Sequence, residues 1–449
     1  MGRLFGTDGA RGVANSELTC ELAMQIGRAA ALVLTKHTDK KARVLIGKDT
    51  RISSNMLEAA LVAGFCSVGV DVLLTGYIPT PAVAFLTGKY GADAGVMISA
   101  SHNPCEYNGI KLFDKNGFKL PDAVEEEIEA IVLDHAQPIP TPVGGALGHV
   151  EHLQNAVQDY IDHVVSTVDV RLDGLKIALD CANGSSSVSA QTLFTALGAT
   201  VYMLSDQPDG VNINADCGST HMGNLTQFVK QHGVDLGLAF DGDADRCLAV
   251  DENGELIDGD KLIAIFAKAM KESGHLNGDT AVVTVMTNIG FLKFAEENGI
   301  RVETTKVGDR YVLENMLQND YRIGGEQSGH IIFKEYATTG DGQLSGVQLA
   351  AVLAKTGKKA SQLGQVMRVY PQTLINVRVT PEGKAKWETD AQITAAIREA
   401  EDKLTGHGRL LVRVSGTEPL IRVMVESETQ EDADQIAGAV ADVIRERAV

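Results

Sequence analysis

Residues 239–250 read "AFDGDADRCLAV", and Asp241, Asp243 and Asp245 alternate through a short loop between two apolar runs. Three carboxylates so close repel one another unless a cation sits among them, and hard oxygen ligands select Mg²⁺ or Ca²⁺ over softer metals. An EF-hand loop fits Asp241, Asp243, Asp245 and Glu252. It fails at the sharp turn, where Arg246 stands in place of the required Gly, and at the flanks, which are strand-like rather than helical. A Mg²⁺ site on a strand-end loop is the better reading, with Arg246 placed to touch an anion beside the metal.

A second stretch, "MISASHNPCEYNGIKLF" at 97–113, carries Ser101 and His102. Adjacent residues on an extended chain point apart, so His102 is poorly placed to activate Ser101 as a base. A bare serine is a poor nucleophile. A serine already carrying phosphate and held against Mg²⁺ is a competent phosphoryl donor, and Lys111, just past the Asn108–Gly109 turn, is near enough to neutralise charge there. In "LLVRVSGTEPLIRV", Ser415, Gly416 and Thr417 offer hydroxyls and a flexible backbone, and Arg413 and Arg422 supply charge. That set matches what a phosphate dianion requires. "GGEQSGHIIF" places Glu326, Ser328 and His330 among glycines, a combination suited to sugar hydroxyls. The Gly-rich "LFGTDGARG" adds Arg11, although Gly and Asp also mark ordinary turns.

These loops need elements to position them. Strand, loop, helix ending in Gly, strand occurs three times, with first strands at 43–46, 176–180 and 280–285 and the first two helices near 54–67 and 187–197. That order makes a βαβ unit with parallel strands. The tail differs: a strand in "QTLINVRVTP", an amphipathic helix at 389–404, two strands flanking a polar turn, and a last helix from near Thr429. The expected fold is α/β: three similar domains with mixed, largely parallel sheets, plus a smaller C-terminal α+β domain. The expected bounds are 1–148, 149–255, 256–367 and 368–449, the first set by the Pro- and Gly-rich stretch 136–148. A hinge is expected near 368–372.

The 449 residues exceed what one hydrophobic core organises. A net charge of −19 argues against general nucleic-acid binding, which needs basic surface, but leaves room for a small anion held by specific Arg and Lys residues. The six cysteines show no metal-binding or paired spacing and read as reduced, mostly buried thiols. No apolar stretch approaches the ~20 residues of a membrane span, and the start lacks a secretory h-region. A cytoplasmic protein without membrane or nucleic-acid partners is expected.

The four loops "SASHNP", "DGDADR", "GEQSGH" and "RVSGTEP", in this order, resemble the α-D-phosphohexomutase superfamily across essentially the whole chain. Ser99 stands where many members have Thr, which keeps the hydroxyl. The resemblance implies four domains around a central cleft and a reaction through a phosphoserine enzyme. Phosphorylated Ser101 would donate its phosphoryl group, and Asp241, Asp243 and Asp245 would hold Mg²⁺ with a phosphoserine oxygen as a further ligand. Arg11, His102, Lys111 and Arg246 would line the centre, and either Lys111 or His102 would move the hydroxyl proton. Glu326, Ser328 and His330 would hold the sugar, and Arg413, Ser415, Gly416, Thr417 and Arg422 the phosphate that is not reacting.

Gln327, where phosphomannomutase/phosphoglucomutase members more usually have Met, and "VGDRYV" at 307–312 point to the branch that interconverts glucosamine 6-phosphate and glucosamine 1-phosphate. A hexosamine 1,6-bisphosphate would be intermediate and primer, and the product would feed UDP-N-acetylglucosamine and peptidoglycan precursors. The alternatives are a mutase for glucose or mannose phosphates and a non-catalytic sugar-phosphate sensor. A homodimer is compatible with the sequence and is not read from it.

Overall fold

Each strand–loop–helix–strand unit predicted from the sequence is present in the computed structural model, which describes residues 3–6, 8–36, 38, 40–415 and 419–448. Arg43–Lys48 pairs in parallel with Asp71–Tyr77, Lys176–Asp180 with Thr200–Leu204, and Thr280–Thr284 with Arg301–Thr305. The connecting helices are Ile52–Ser67, Ala190–Ala196 and Ile289–Glu297. The second starts later than predicted because the serine run Ser185–Val188 forms a separate 3₁₀ turn. There Ser187 Oγ donates to the Gly184 carbonyl at 2.6 Å, the local side-chain bonding by which serine competes with helix.

The sheets are mixed, and they share one plan. In the first, Val150–His152, Asp71–Tyr77, Arg43–Lys48 and Ala94–Ile98 run parallel, and Tyr107–Asp114, Gly9–Val13 and Phe5–Gly6 continue it antiparallel. In the second, Thr200–Leu204, Lys176–Asp180 and Leu236–Phe240 are parallel, followed by antiparallel Cys247–Asp251 and Leu256–Ile257. In the third, Arg301–Thr305, Thr280–Thr284 and Ile323–Gly325 are parallel and Ile331–Phe333 is antiparallel. In every case the switch from parallel to antiparallel is a hairpin, and the hairpin's connection is one of the loops singled out above.

The C-terminal sheet is antiparallel, with Leu420–Glu426 between Gln372–Arg378 and Arg409–Val414. Helices Ala391–Leu404 and Gln430–Arg447 contribute Ile393, Ala437, Val440 and Ile444 to its core, against Val377, Ile421 and Val423. The last helix starts where predicted, at a Thr429 side chain that accepts from the Asp432 N–H.

By contact density the chain forms two units, Met1–Met286 with Gly299–Val366, and Thr287–Asn298 with Met367–Val449. Within the second, the Asn288 side chain donates to the Tyr370 carbonyl at 2.9 Å and accepts from the Tyr370 N–H at 3.0 Å. The buried Glu426 carboxylate accepts from the Ile289 N–H at 2.9 Å, at the start of helix Ile289–Glu297 where negative charge is favoured. Tyr370, within the stretch expected as a hinge, 368–372, is thus bonded to the start of that helix.

Among the described residues no helix is long and apolar enough to cross a membrane. All six cysteines are unpaired, and Cys181, Cys217 and Cys247 are buried.

Helix Gly342–Thr356 starts at a buried carboxylate. Asp341 Oδ1 accepts from the Leu344 N–H at 2.9 Å and from the Tyr160 hydroxyl at 2.8 Å. Burial pushes this carboxyl up to about 6. Unfolded Asp titrates near 3.9, so the protonated form favours folding. That stabilisation is complete below about pH 4 and is lost as the pH rises through about 6. Asp341→Asn keeps the acceptor without the charge. Its stability relative to wild type is expected to improve by on the order of 1–3 kcal/mol between pH 4 and pH 7.5, measured by calorimetry at both. A difference independent of pH would refute the raised value.

Candidate active site

The serine loop hangs between two buried strands. Ala94–Ile98 delivers the chain to residue 99 and Tyr107–Asp114 returns it, with Met97 opposite Lys111. Ser101 sits in the left-handed region at φ 53°, uncommon for a residue other than Gly, and the surroundings hold it there. Arg51 donates through Nη2 to the Ser101 carbonyl at 2.9 Å and the Asn103 carbonyl at 2.8 Å, and through Nη1 to the Pro104 carbonyl at 2.5 Å. Asn214 Nδ2 donates to the carbonyls of Ser101 at 2.9 Å and Asn103 at 3.0 Å. Arg51 is fully buried against Asp49, at 2.8 Å, and Asp49 also accepts from the Ser99 hydroxyl at 2.6 Å.

The left-handed turn changes one expectation. Ser101 and His102 do not point apart: Ser101 Oγ lies 3.4 Å from His102 Nδ1. The serine hydroxyl is nevertheless committed elsewhere, donating to Asp241 Oδ2 at 2.6 Å.

Asp241 belongs to the six-residue connection 241–246 between Phe240 and Cys247, which pair directly. The carboxylates of Asp241, Asp243 and Asp245 are all buried and offer oxygens within 4.8 Å of one another. Thr80 holds Asp243 from below, its hydroxyl donating to Oδ2 at 2.6 Å and its N–H to the carbonyl at 2.9 Å. Lys111 Nζ is 2.5 Å from Asp243 Oδ2 and 3.5 Å from Asp245 Oδ2.

Burial disfavours charge on all three acids. For Asp243 and Asp245 the Lys111 ammonium outweighs it and holds them below the usual carboxylate range. Asp241 is pushed well above it by burial and by its two acidic neighbours. Ionised together, the three carboxylates outnumber the two cations beside them, Lys111 and Arg246, whose Nε lies 3.9 Å from Asp245 Oδ1. Asp243 Oδ1 and Asp245 Oδ1 are also buried without a hydrogen-bond partner among the described residues. Hard oxygen donors, unspent lone pairs and excess negative charge fit a divalent metal ion.

Arg246 closes the same loop. Its N–H donates to Asp241 Oδ1 at 3.2 Å and its Nη1 to His102 Nδ1 at 3.0 Å. A guanidinium only donates, so Nδ1 is the acceptor and His102 is neutral, with its proton on Nε2. Burial, Arg246 and Arg11 all lower the imidazole's pKa. Arg11 lies opposite Gly109 in the sheet, two residues from Lys111 and so on the same face, and pairs with Asp8 at 3.4 Å.

The loop 326–330, expected to hold the sugar and termed the sugar loop for that reason, connects Gly325 to Ile331, which pair directly. Glu326 Oε1 accepts from the Gly308 N–H at 3.1 Å, and Ser328 Oγ is buried without a partner among the described residues. His330 turns inward: it is 4% exposed, with Nδ1 3.6 Å from Asp245 Oδ2 and Nε2 accepting from the Gly340 N–H at 3.0 Å. The imidazole thus braces loop 241–246, the expected metal loop, against the sugar loop. Ser101, His102, Lys111, Asp241, Asp243, Asp245, Arg246 and His330 form one continuous cluster.

In the second unit, Arg413 and Arg422 face each other directly across two strands. Like charges in that position repel, and burial together with Arg422 pulls the Arg413 guanidinium below its ordinary value. An anion between them would relieve both effects. The Ser415 N–H donates to the Leu420 carbonyl at 2.9 Å, and Lys384 Nζ donates to the Ser415 carbonyl at 2.6 Å. Gly416 and Thr417 lie outside the described residues.

Sequence reasoning missed Asp49, Arg51, Thr80 and Asn214. The charged residues of "GKDTR" at the end of an apolar strand were the one hint to the first two; Thr80 and Asn214 carried none.

A serine aimed at a buried acidic loop and flanked by Lys and Arg has the groups that phosphoryl transfer requires, and the class of protein follows from comparison with known proteins. The sequence matches all four domain models of phosphoglucomutase/phosphomannomutase: alpha/beta/alpha domain I over 2–138, domain II over 158–254, domain III over 258–370 and the C-terminal domain over 374–443. The chain belongs to this family and is an enzyme of the phosphohexomutase class.

Within the family it is similar to phosphoglucosamine mutases. It is 55% identical to that of Clostridium novyi (strain NT), with 100% of both chains covered. It is 53% identical to that of Acetivibrio thermocellus, again with 100% of both covered. In fold it is similar to a phosphoglucomutase/phosphomannomutase family protein from Burkholderia thailandensis, with TM-score 0.83, 23% identity and coverage of 100% and 98%. It is also similar to Aspergillus fumigatus N-acetylphosphoglucosamine mutase solved with GlcNAc-6P and magnesium, with TM-score 0.70, 18% identity and coverage of 100% and 96%.

Proposed function

We propose that this chain is a phosphoglucosamine mutase, interconverting glucosamine 6-phosphate and glucosamine 1-phosphate through phosphorylated Ser101 and a 1,6-bisphosphate. The observation that carries the reading is the Ser101 hydroxyl 2.6 Å from Asp241 inside a buried cluster of three carboxylates and a lysine.

Asp241, Asp243 and Asp245 would hold Mg²⁺, as the magnesium-bound relative of the same fold suggests. When bound, the ion neutralises charge on the transferring phosphoryl group. Phosphoryl transfer asks the protein mainly for positioning and electrostatics. Arg51 and Asn214 fix the serine loop, and Lys111, Arg246 and Arg11 put positive charge on the face where the group moves. Both sequence candidates for the proton acceptor are occupied in this geometry. Against the effect of burial, Asp243 and Asp245 keep Lys111 protonated, and His102 Nδ1 is taken by Arg246. The Lys111 ammonium so held serves to neutralise charge on the transferring group. Glu326 and Ser328 hold sugar hydroxyls, and Arg413 and Arg422 hold a phosphate group of the substrate.

The test is turnover of glucosamine 6-phosphate with Mg²⁺ and a hexose 1,6-bisphosphate primer, compared with glucose and mannose 6-phosphates. The highest kcat/KM is expected for the amino sugar. Activity on the other two without it would overturn the substrate, and no turnover on any would overturn the mutase.

One glycine is critical to this arrangement. A Cβ on Gly242 would stand 2.5 Å from the Ser101 carbonyl oxygen, so only Gly lets the metal loop approach the serine loop. Gly242→Ala is expected to lower kcat by about 10–100-fold, since small displacements of reacting groups are costly. Unchanged kcat would show that the two loops can separate without consequence.

A further inference from the structure

The segment "VGDRYV" at 307–312 has no chemical role in the centre, yet two of its side chains reach into the N-terminal sheet region. Lys119, just beyond strand Tyr107–Asp114, places its ammonium 2.9 Å from Asp8 Oδ1 and 2.5 Å from Asp309 Oδ2, with the side chain 11% exposed. Asp309 opens helix Asp309–Asn319. The next residue, Arg310, donates to the Leu120 carbonyl at 2.6 Å and pairs with Glu125 at 3.3 Å and with Asp122. Consecutive residues at one helix start thus grip 119–125.

Each carboxylate on Lys119 leads to a residue of the site. Asp8 pairs with Arg11 at 3.4 Å. Asp309 follows Gly308, which gives its N–H to Glu326. Gly308 holds φ 130°, a conformation that favours glycine, so the N–H is aimed by the backbone itself. Without the ammonium, two carboxylates would face each other in a largely buried space and separate.

We propose that Lys119 is a positioning residue: it latches the sugar loop to the N-terminal loop, fixing Glu326 relative to Arg11 through Asp309 and Asp8. The kinetic consequence rests on the mutase reading above; the structural latch does not.

The test combines kinetics with amide hydrogen exchange on the full chain. Lys119→Met is expected to raise KM for the sugar phosphate by about tenfold, with a smaller change in kcat, because substrate placement rather than charge on the phosphoryl group is lost. Exchange at 308–310 and 326–330 should accelerate. Lys119→Arg, which still spans two carboxylates, should restore most of both. Asp309→Asn, a milder change should Lys119→Met fold poorly, should give the same KM rise, and the double variant should be no worse than Lys119→Met alone. Wild-type KM and wild-type exchange in Lys119→Met would overturn the latch, as would Lys119→Arg behaving no better than Met with sugar-loop exchange unchanged in both. Accelerated exchange in Lys119→Met, with no turnover by the wild type, would support the latch and overturn the mutase reading instead.

Discussion

Ser101→Ala is expected to reduce mutase turnover by on the order of 10⁴-fold or more, about 5.5 kcal/mol of barrier, and to leave the protein folded. The hydroxyl is the only part of the side chain that can carry phosphate, and the neighbouring Ser99 hydroxyl is spent on Asp49. The cost to stability is small by comparison. One hydrogen bond to Asp241 is lost, worth roughly 1–3 kcal/mol, while Arg51 and Asn214 still hold the backbone carbonyl. Ala tolerates the left-handed turn about as well as Ser does. Substrate binding, measured by calorimetric titration of glucosamine 6-phosphate, should persist, because none of its proposed ligands is touched. Mass spectrometry should find phosphate on Ser101 of the wild type after exposure to a 1,6-bisphosphate and none on that peptide in the variant. Equal turnover by both proteins would remove Ser101 from the mechanism.

Arg51→Met is expected to destabilise the protein by about 3–5 kcal/mol, the usual cost of leaving one member of a buried ion pair without its partner. Both Arg51 and Asp49 side chains are fully buried. Besides Asp49, the guanidinium serves three loop carbonyls, and Met can satisfy none of them. The serine loop then loses three of its carbonyl anchors and keeps Asn214 and the Ser101–Asp241 bond, so turnover should fall by about 10²-fold in whatever protein remains folded. Adding Asp49→Asn to Arg51→Met should recover part of the stability, since it removes the stranded charge, and none of the activity. Chemical denaturation of the single and double variants reads the first effect, and kcat at a temperature where both are folded reads the second. A double variant as unstable as the sum of its singles would show that the two charges are not a coupled pair.

The sequence alone determined much of this protein, because much of it is local. The three βαβ units follow from apolar runs, helical spacing and terminal glycines within some 30 residues each. The three alternating Asp residues mark a candidate cation site, since their closeness is fixed by spacing along the chain. The serine, metal, sugar and phosphate loops were legible by residue type, and their order along the chain carried the family resemblance.

Tertiary structure decided how those loops are held and what touches what. Each is the connection of a β-hairpin, three of them at the point where a parallel sheet turns antiparallel. Ser101 meets Asp241 across 140 residues of sequence, and Lys119 meets Asp309 across 190. Arg51 and Asn214 approach the serine loop from opposite directions in the chain, and His330, on the expected sugar loop, reaches Asp245. None of these contacts has a periodicity. A single buried polar side chain repeats nothing along the chain, and its partner is chosen only when strands take neighbours and burial forces every charge to find one.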